Sequence, residues 1–177
     1  METTSFLPTV YLLALAGLLA VVGWLVFREV QRNRRQEGVI SRLQPKLVKN
    51  SGTAEEHYEL GSVYLEKKLY DQAIAQFKKS LDVAGDDIPV VLNALGYAYF
   101  IQEQYDLAIR SYKTAVQALD EYPTAWNNLG HAYEKKNLVA PALEAYEKAL
   151  ALDPKNDVAQ RRVQSLRKRL SPTQAQS

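Results

Sequence analysis

The sequence predicts an all-α protein: an N-terminal transmembrane helix, then an α-solenoid of three helix-turn-helix repeats closed by a C-terminal capping helix. Two observations carry that prediction. Phe6 to Phe27 is a run of 22 residues without a charge. Further on, a pattern of Leu-Gly, Tyr, Ala and an aromatic ring occurs three times, its glycines Gly61, Gly96 and Gly130 lying 35 and 34 residues apart.

The apolar run comes first. As a helix it extends roughly 33 Å, enough for a hydrocarbon core of about 30 Å. Tyr11 and Trp24 lie toward its ends, where amphipathic rings settle at the headgroup level. A cleaved signal peptide is the rival reading. It needs a basic segment ahead of the apolar core, and here only Glu2 precedes it. Ala16 and Ala20 form a small-xxx-small pair of the kind that lets two membrane helices approach.

Residues 28–53 carry seven bases and two acids. Arg28, Arg32, Arg34 and Arg35 sit immediately after the span, and basic residues beside a span stay on the side of synthesis. The large domain is therefore expected on the cytoplasmic side, or on the stromal side in an organelle of bacterial descent. The same arginines could attract anionic lipid heads. The stretch reads as a connector punctuated by Gly38, Pro45 and Ser51-Gly52. Within it Val39, Ile40, Leu43 and Leu47 have the spacing of a short amphipathic helix near the membrane surface.

The repeats occupy residues 54–88, 89–122 and 123–156. At equivalent places they show Leu60-Gly61, Leu95-Gly96 and Leu129-Gly130, then Tyr64, Tyr99 and Tyr133. Ala73, Ala108 and Ala142 follow, then Phe77, Tyr112 and Tyr146. The extra residue of the first repeat falls in the Gly85-Asp86-Asp87 turn. Each segment holds two stretches of apolar residues at helical spacing, separated by polar breaks such as Lys67-Lys68 and Glu103-Gln104. The glycines and alanines are small where two helices must approach, and the rings fill what would otherwise be a gap.

A stack of helix pairs leaves its last apolar face open and needs a cap. Residues 157–170 supply one: Ala159, Val163, Leu166 and Leu170 recur at helical spacing among Arg161, Arg162, Arg167, Lys168 and Arg169. The rival reading is a basic docking site for lipid or an acidic partner. Residues 171–177 are expected to be disordered.

Charge and composition exclude several classes. The net charge of +2 conceals an acidic centre, residues 54–156 carrying sixteen acids and ten bases. Nucleic acid is not expected as a partner, because phosphate binding needs a basic footprint. With no cysteine there is no disulfide and no thiolate chemistry. The two histidines, His57 and His131, lie two repeats apart and in no metal-ligand spacing. No phosphate-binding glycine loop and no nucleophile elbow is present. The sequence predicts a non-enzyme with no cofactor, no metal and no small-molecule substrate.

The Leu-Gly, Tyr, Ala and ring offsets resemble the tetratricopeptide repeat (TPR), over residues 54–156. That resemblance implies a concave groove, lined by the first helix of each repeat, that takes an extended or helical segment of a partner protein. Carried over by position, its lining is Tyr58, Ser62 and Leu65, then Asn93, Tyr97, Phe100 and Ile101, then Asn127, His131 and Glu134. Asn93 and Asn127 could pair with a peptide backbone, and Tyr58, Tyr97 and Phe100 have the rigid aromatic character of binding hot spots. Against this stands the reading that Phe100 and Ile101 are simply buried between repeats. One TPR subfamily clamps the C-terminal carboxylate of chaperones. Its positions here hold Tyr58, Ser62, Ala94, Thr124 and Asn128, of which only Asn128 suits the task. The order of span, basic stretch, three repeats and basic end resembles the membrane-anchored TPR proteins of cyanobacteria and plastids that assist photosystem I assembly. This implies a single-pass thylakoid membrane protein that docks photosystem I subunits or other assembly factors. A receptor in protein targeting and a scaffold for another membrane complex are the alternatives.

Overall fold

The computed structural model describes residues 6–49 and 52–171. Of the expected disordered tail, only Ser171 falls within them; Ser51 of the expected Ser51-Gly52 break also lies outside. Among the described residues there are eight α-helices and no strand. The chain divides into two compact units, one up to Gln44 and one from Pro45 onward.

Helix α1 runs from Phe6 to Val48 as one element of 43 residues. Its N-terminal part is apolar on all sides and exposed, with Leu13, Leu19 and Phe27 all open. A window of mean hydropathy 2.5, none of it buried, makes it long and apolar enough to cross a membrane. Arg28 lies over the Trp24 ring, 5.3 Å from its centroid, and Arg32 Nη2 donates to Glu29 Oε1 at 2.7 Å. Residues 28–48 of the expected connector are helical, as a continuation of the apolar run and not as a separate short helix. Gly38 and Pro45 interrupt nothing, and Val39, Ile40, Leu43 and Leu47 all lie on α1. The reason is local. One interior glycine costs about 1 kcal/mol, and the surrounding Arg, Gln, Glu and Leu are strong helix formers. Pro45 falls in the last turn, where one lost ladder bond matters least.

The repeat unit is built from helix pairs: α2 (Ala54–Glu66) with α3 (Tyr70–Ala84), α4 (Pro89–Ile101) with α5 (Tyr105–Ala118), and α6 (Pro123–Lys135) with α7 (Val139–Leu152). Helix α8 (Asp157–Leu170) packs on α7. Four of the starts carry a local chemical signal. Thr53 and Glu56 form a capping box on α2. Pro89 and Pro123 open α4 and α6, where the missing N–H is no loss. The Asn156 side chain accepts from Ala159 N at 3.0 Å on α8.

The turn inside each pair is a threefold Schellman motif. The amides of Leu69, Gln104 and Leu138 donate back to the carbonyls of Tyr64, Tyr99 and Tyr133 at 2.8, 3.0 and 2.9 Å. The residue before each donor, Lys68, Glu103 or Asn137, sits at φ 60, 60 and 56°. That left-handed conformation suits glycine or asparagine and strains lysine and glutamate. Glu103→Gly, at an exposed site, is expected to raise stability by about 1 kcal/mol in urea unfolding. The same change at Asn137 is expected to gain less.

Small residues face rings in every pair. A Cβ on Gly61 would lie 2.7 Å from Phe77 Cε1, one on Gly96 2.7 Å from Tyr112 Cδ1, and one on Gly130 3.0 Å from Tyr146 Cδ1. Ala73, Ala108 and Ala142 are fully buried. Between repeats one contact recurs: Gln102 Nε2 donates to Asp71 Oδ1 at 2.7 Å, and one repeat later Lys136 Nζ donates to Asp106 Oδ2 at 3.0 Å.

Candidate functional site

The first helices of successive repeats touch one another, so α2, α4 and α6 form one inner wall. Asn128 Nδ2 of α6 donates to Asn93 Oδ1 of α4 at 3.0 Å. The rings of Phe100 (α4) and His131 (α6) are 4.6 Å apart, and Phe100 also meets Tyr105 edge-on at 5.5 Å. These contacts bring the expected groove residues of α4 and α6 onto a single surface.

Their individual states differ. Tyr97 and Ile101 remain 44% and 38% exposed. Phe100 is half-buried, held between Tyr105 and His131. The two α4 residues singled out as burial candidates therefore part ways: Ile101 faces solvent and Phe100 is wedged. Tyr58 is half-buried against Phe77, with ring centroids 5.9 Å apart, and Ser62 and Leu65 are half-buried beside it. The Asn93 carbonyl oxygen accepts from Asn128 and its side chain also bonds Tyr122, so this amide is already engaged within the wall. Asn127 differs again: its Oδ1 is buried with no hydrogen-bond partner in the protein. A buried acceptor in that state costs roughly 1–3 kcal/mol.

Tyr122 of the wall carries no repeat signature and is not among the residues the sequence points to, whereas Glu134 is one of the expected groove residues. Tyr122 ends the second repeat. Burial raises its phenol pKa, the nearby Tyr58 adds to the rise, and a side-chain hydrogen bond with Asn93 acts against it. Glu134 accepts from the buried Tyr146 hydroxyl at 2.7 Å and lies 3.5 Å from Arg162 Nε of α8. Burial drives the Tyr146 hydroxyl well above the ordinary phenol range, and the bond to Glu134 adds to it. Tyr146 is thus a permanent donor to that carboxylate.

His131 has its imidazole pKa lowered, first by burial, then by Arg162; Glu134 opposes the shift and Lys135 adds to it. Below its ordinary value of about 6.5, the unfolded chain takes up a proton that the folded chain resists. Stability is then lost as pH falls through that value toward the folded pKa. His131→Asn is expected to flatten the fall in melting temperature between pH 7 and pH 5, read by circular dichroism.

Arg28, Arg32, Arg34 and Arg35 are exposed along α1. A separate cleft of about 210 Å³ opens between α5, α6 and α7, lined by Trp126, Tyr133 and Pro141 among others. It is smaller than the usual ligand pocket, and the Trp126 indole N–H is already satisfied by Asp120 O at 2.8 Å.

Known proteins match on both sequence and shape. Tetratricopeptide repeat profiles align with residues 55–87 and 123–156, and a TPR repeat profile with residues 96–137. The chloroplastic tetratricopeptide repeat domain-containing protein PYG7 of Arabidopsis thaliana is 39% identical over 90% of this chain; the chain spans 54% of that protein. The uncharacterised protein ycf37 of Cyanophora paradoxa is 35% identical over 90% of this chain and 94% of its own length. Among solved structures, the first TPR of Spaghetti (RPAP3), bound to an HSP90 peptide, is 26% identical with a TM-score of 0.64, covering 67% of this chain and 93% of that one. The crystal structure of MamA is similar in fold at 24% identity and a TM-score of 0.71, covering 76% of this chain and 78% of that one. With its glycine-to-ring helix pairs matched by repeat profiles and a near full-length relative at 35% identity, the chain belongs to the tetratricopeptide-repeat family, in the group of the ycf37 proteins.

Proposed function

We propose that the chain is a membrane-anchored adaptor whose inner wall holds an extended or helical segment of a partner protein. The observation that carries this reading is the apolar and aromatic strip made by exposed Tyr97 and Ile101 with half-buried Phe100, continued by His131 and Asn127 on the next repeat. Aromatic anchors on a rigid helical wall bind at low entropic cost, and proteins of this fold generally bind other proteins. Tyr58 and Ser62 extend the strip toward the first repeat. In this reading residues 6–27 form the span, residues 28–53 the juxtamembrane segment, residues 54–156 the three repeats and residues 157–170 the cap. Arg28, Arg32, Arg34 and Arg35 keep the repeats on the cytoplasmic or stromal side.

The partner is a photosystem I subunit or another assembly factor, and the membrane is the thylakoid. Support comes from the chloroplastic relative and from the ycf37 proteins of algae, which match this chain along almost its whole length. Binding of a chaperone C-terminus, as the HSP90 peptide binds RPAP3, is a poor fit. Tyr58, Ser62, Ala94 and Thr124 offer no cation, and the amide of Asn128 is already spent on Asn93.

Photocrosslinking from positions 97 and 127 in native membranes tests the assignment. Adducts with photosystem I subunits or their assembly factors are expected. Adducts confined to translocase components would replace it with a role in targeting, and normal photosystem I accumulation in a deletion strain under all light conditions would discard the assembly role.

A further inference from the structure

Helix α8 is written in the register of the first helix of a fourth repeat. Ala159, Val163 and Leu166 stand where α6 has Ala125, Leu129 and Ala132, and all six are buried. Where first helices meet their own second helix, α6 carries Trp126, Gly130 and Tyr133, whereas α8 carries Gln160, Gln164 and Arg167. Those three are exposed, and Arg167 Nη2 reaches back to Glu147 of α7 at 2.6 Å. The stack stops because that face is polar.

The same register sets Arg161, Arg162 and Ser165 at the places of Asn127, Asn128 and His131. The contact of Arg162 with Glu134 and its influence on His131 put it on the inner wall. Lys168 and Arg169 follow at the places of Glu134 and Lys135. The wall therefore continues onto a fourth helix, and that helix is cationic. Helix α4 beside the centre of the wall carries no charge at all. Glu134 on α6 is already engaged by Tyr146 and Arg162.

We propose that this end of the groove reads an acidic stretch of the partner polypeptide, with carboxylates seated by Arg161 and Arg162 while an apolar stretch lies over Tyr97, Phe100 and Ile101. The proposal rests on the protein-binding reading of the groove. It differs from the chaperone clamp, whose positions all lie on the first three inner helices. Arginine forks match carboxylates in two-point contact. A polypeptide can enter a wall shared with His131 and Asn127, whereas a flat bilayer surface meets only outward points.

Fluorescence anisotropy on the full-length protein in detergent micelles provides the test. The probes are two dye-labelled peptides with the same aliphatic and aromatic block, ending in three glutamates or in three glutamines. The glutamate peptide is expected to bind roughly tenfold tighter at low salt, with the preference shrinking as salt rises. Arg161→Gln with Arg162→Gln is expected to abolish the preference and leave the glutamine peptide unchanged, whereas Tyr97→Ala weakens both peptides alike. Equal affinity for the two peptides, or a preference that survives the double variant, overturns the proposal and leaves the groove reading standing. Binding of neither peptide overturns both. Because the chain has no cysteine, Ser165→Cys carries a single fluorophore. Its quenching by brominated phosphatidylglycerol in nanodiscs, lost in the double arginine variant, would assign the arginines to lipid and also overturn the proposal.

Discussion

Gly96→Leu is expected to destabilise the repeat unit by about 3 kcal/mol, the upper end of what overpacking costs. Even a methyl group at this position would stand 2.7 Å from both Cδ1 and Cε1 of Tyr112. Tyr112 is 1% exposed and among the largest fully buried side chains, so its ring has nowhere to turn. Two effects compete in the alanine variant. Gly→Ala gains about 1 kcal/mol in a helix interior, and the clash costs about 1–3 kcal/mol. At Gly96 and Gly61, with contacts of 2.7 Å, the clash wins. At Gly130 the ring of Tyr146 is 3.0 Å away, and the two terms come close to cancelling. The expected order of stability loss is Gly96→Ala and Gly61→Ala ahead of Gly130→Ala, measured by urea unfolding. A double-mutant cycle with Tyr112→Ala localises the conflict: the penalty of Gly96→Leu should shrink once the ring is gone. A Gly96→Ala variant more stable than the parent would show that the ring yields.

Leu166→Ala is expected to cost about 2–5 kcal/mol, the range for truncating a buried leucine. Leu166 is 1% exposed and belongs to one cluster with Ala142, Tyr146, Ala149, Ala159 and Val163, so it is a main attachment of α8 to α7. Three of those cluster residues are alanines. Apart from Leu166 the cap brings only Ala159 and Val163 to that cluster, so it has little apolar area with which to compensate. Once α8 lifts, Tyr146 and the alanines of α7 face water, and the end of the stack becomes adhesive. The readouts are a lower unfolding midpoint and concentration-dependent association. The face of α8 decides the effect. Gln164→Ala should be nearly neutral, and Arg167→Ala should cost at most about 1 kcal/mol through its exposed pair with Glu147. If Gln164→Ala and Leu166→Ala proved equally damaging, α8 would not be seated as described.

Much of this molecule could be read before it was seen. The glycines at 61, 96 and 130 and the rings at 77, 112 and 146 recur at fixed offsets because each helix pair solves the same packing problem, and repetition makes a local rule visible. The expected inner-wall positions rest on the resemblance to the tetratricopeptide repeat, carried over on that register. Other features had no such signal. In the sequence the Asn93 amide stands available, whereas in the fold Asn128, 35 residues away, donates to it. Tyr122 acquires its role from Tyr58 and Asn93, which come close only when the repeats stack, and the engagement of Glu134, itself an expected groove residue, by Tyr146 and Arg162 likewise depends on the fold. The continuation of α1 through Gly38 and Pro45 has no clear signal in the sequence, because glycine and proline punctuate it, yet flanking helix formers outweigh one glycine.

The sequence by itself determined the helical periodicity, the threefold repeat, the long apolar helix and the small-against-large pairing, because each depends on residues close together in the chain or on a motif repeated along it. Only the tertiary structure decided which groove side chains are free and which are spent on each other, and that α8 continues the inner wall while ending the stack. Those properties depend on distances between residues in different repeats, which the superhelical packing fixes and no single stretch of sequence encodes.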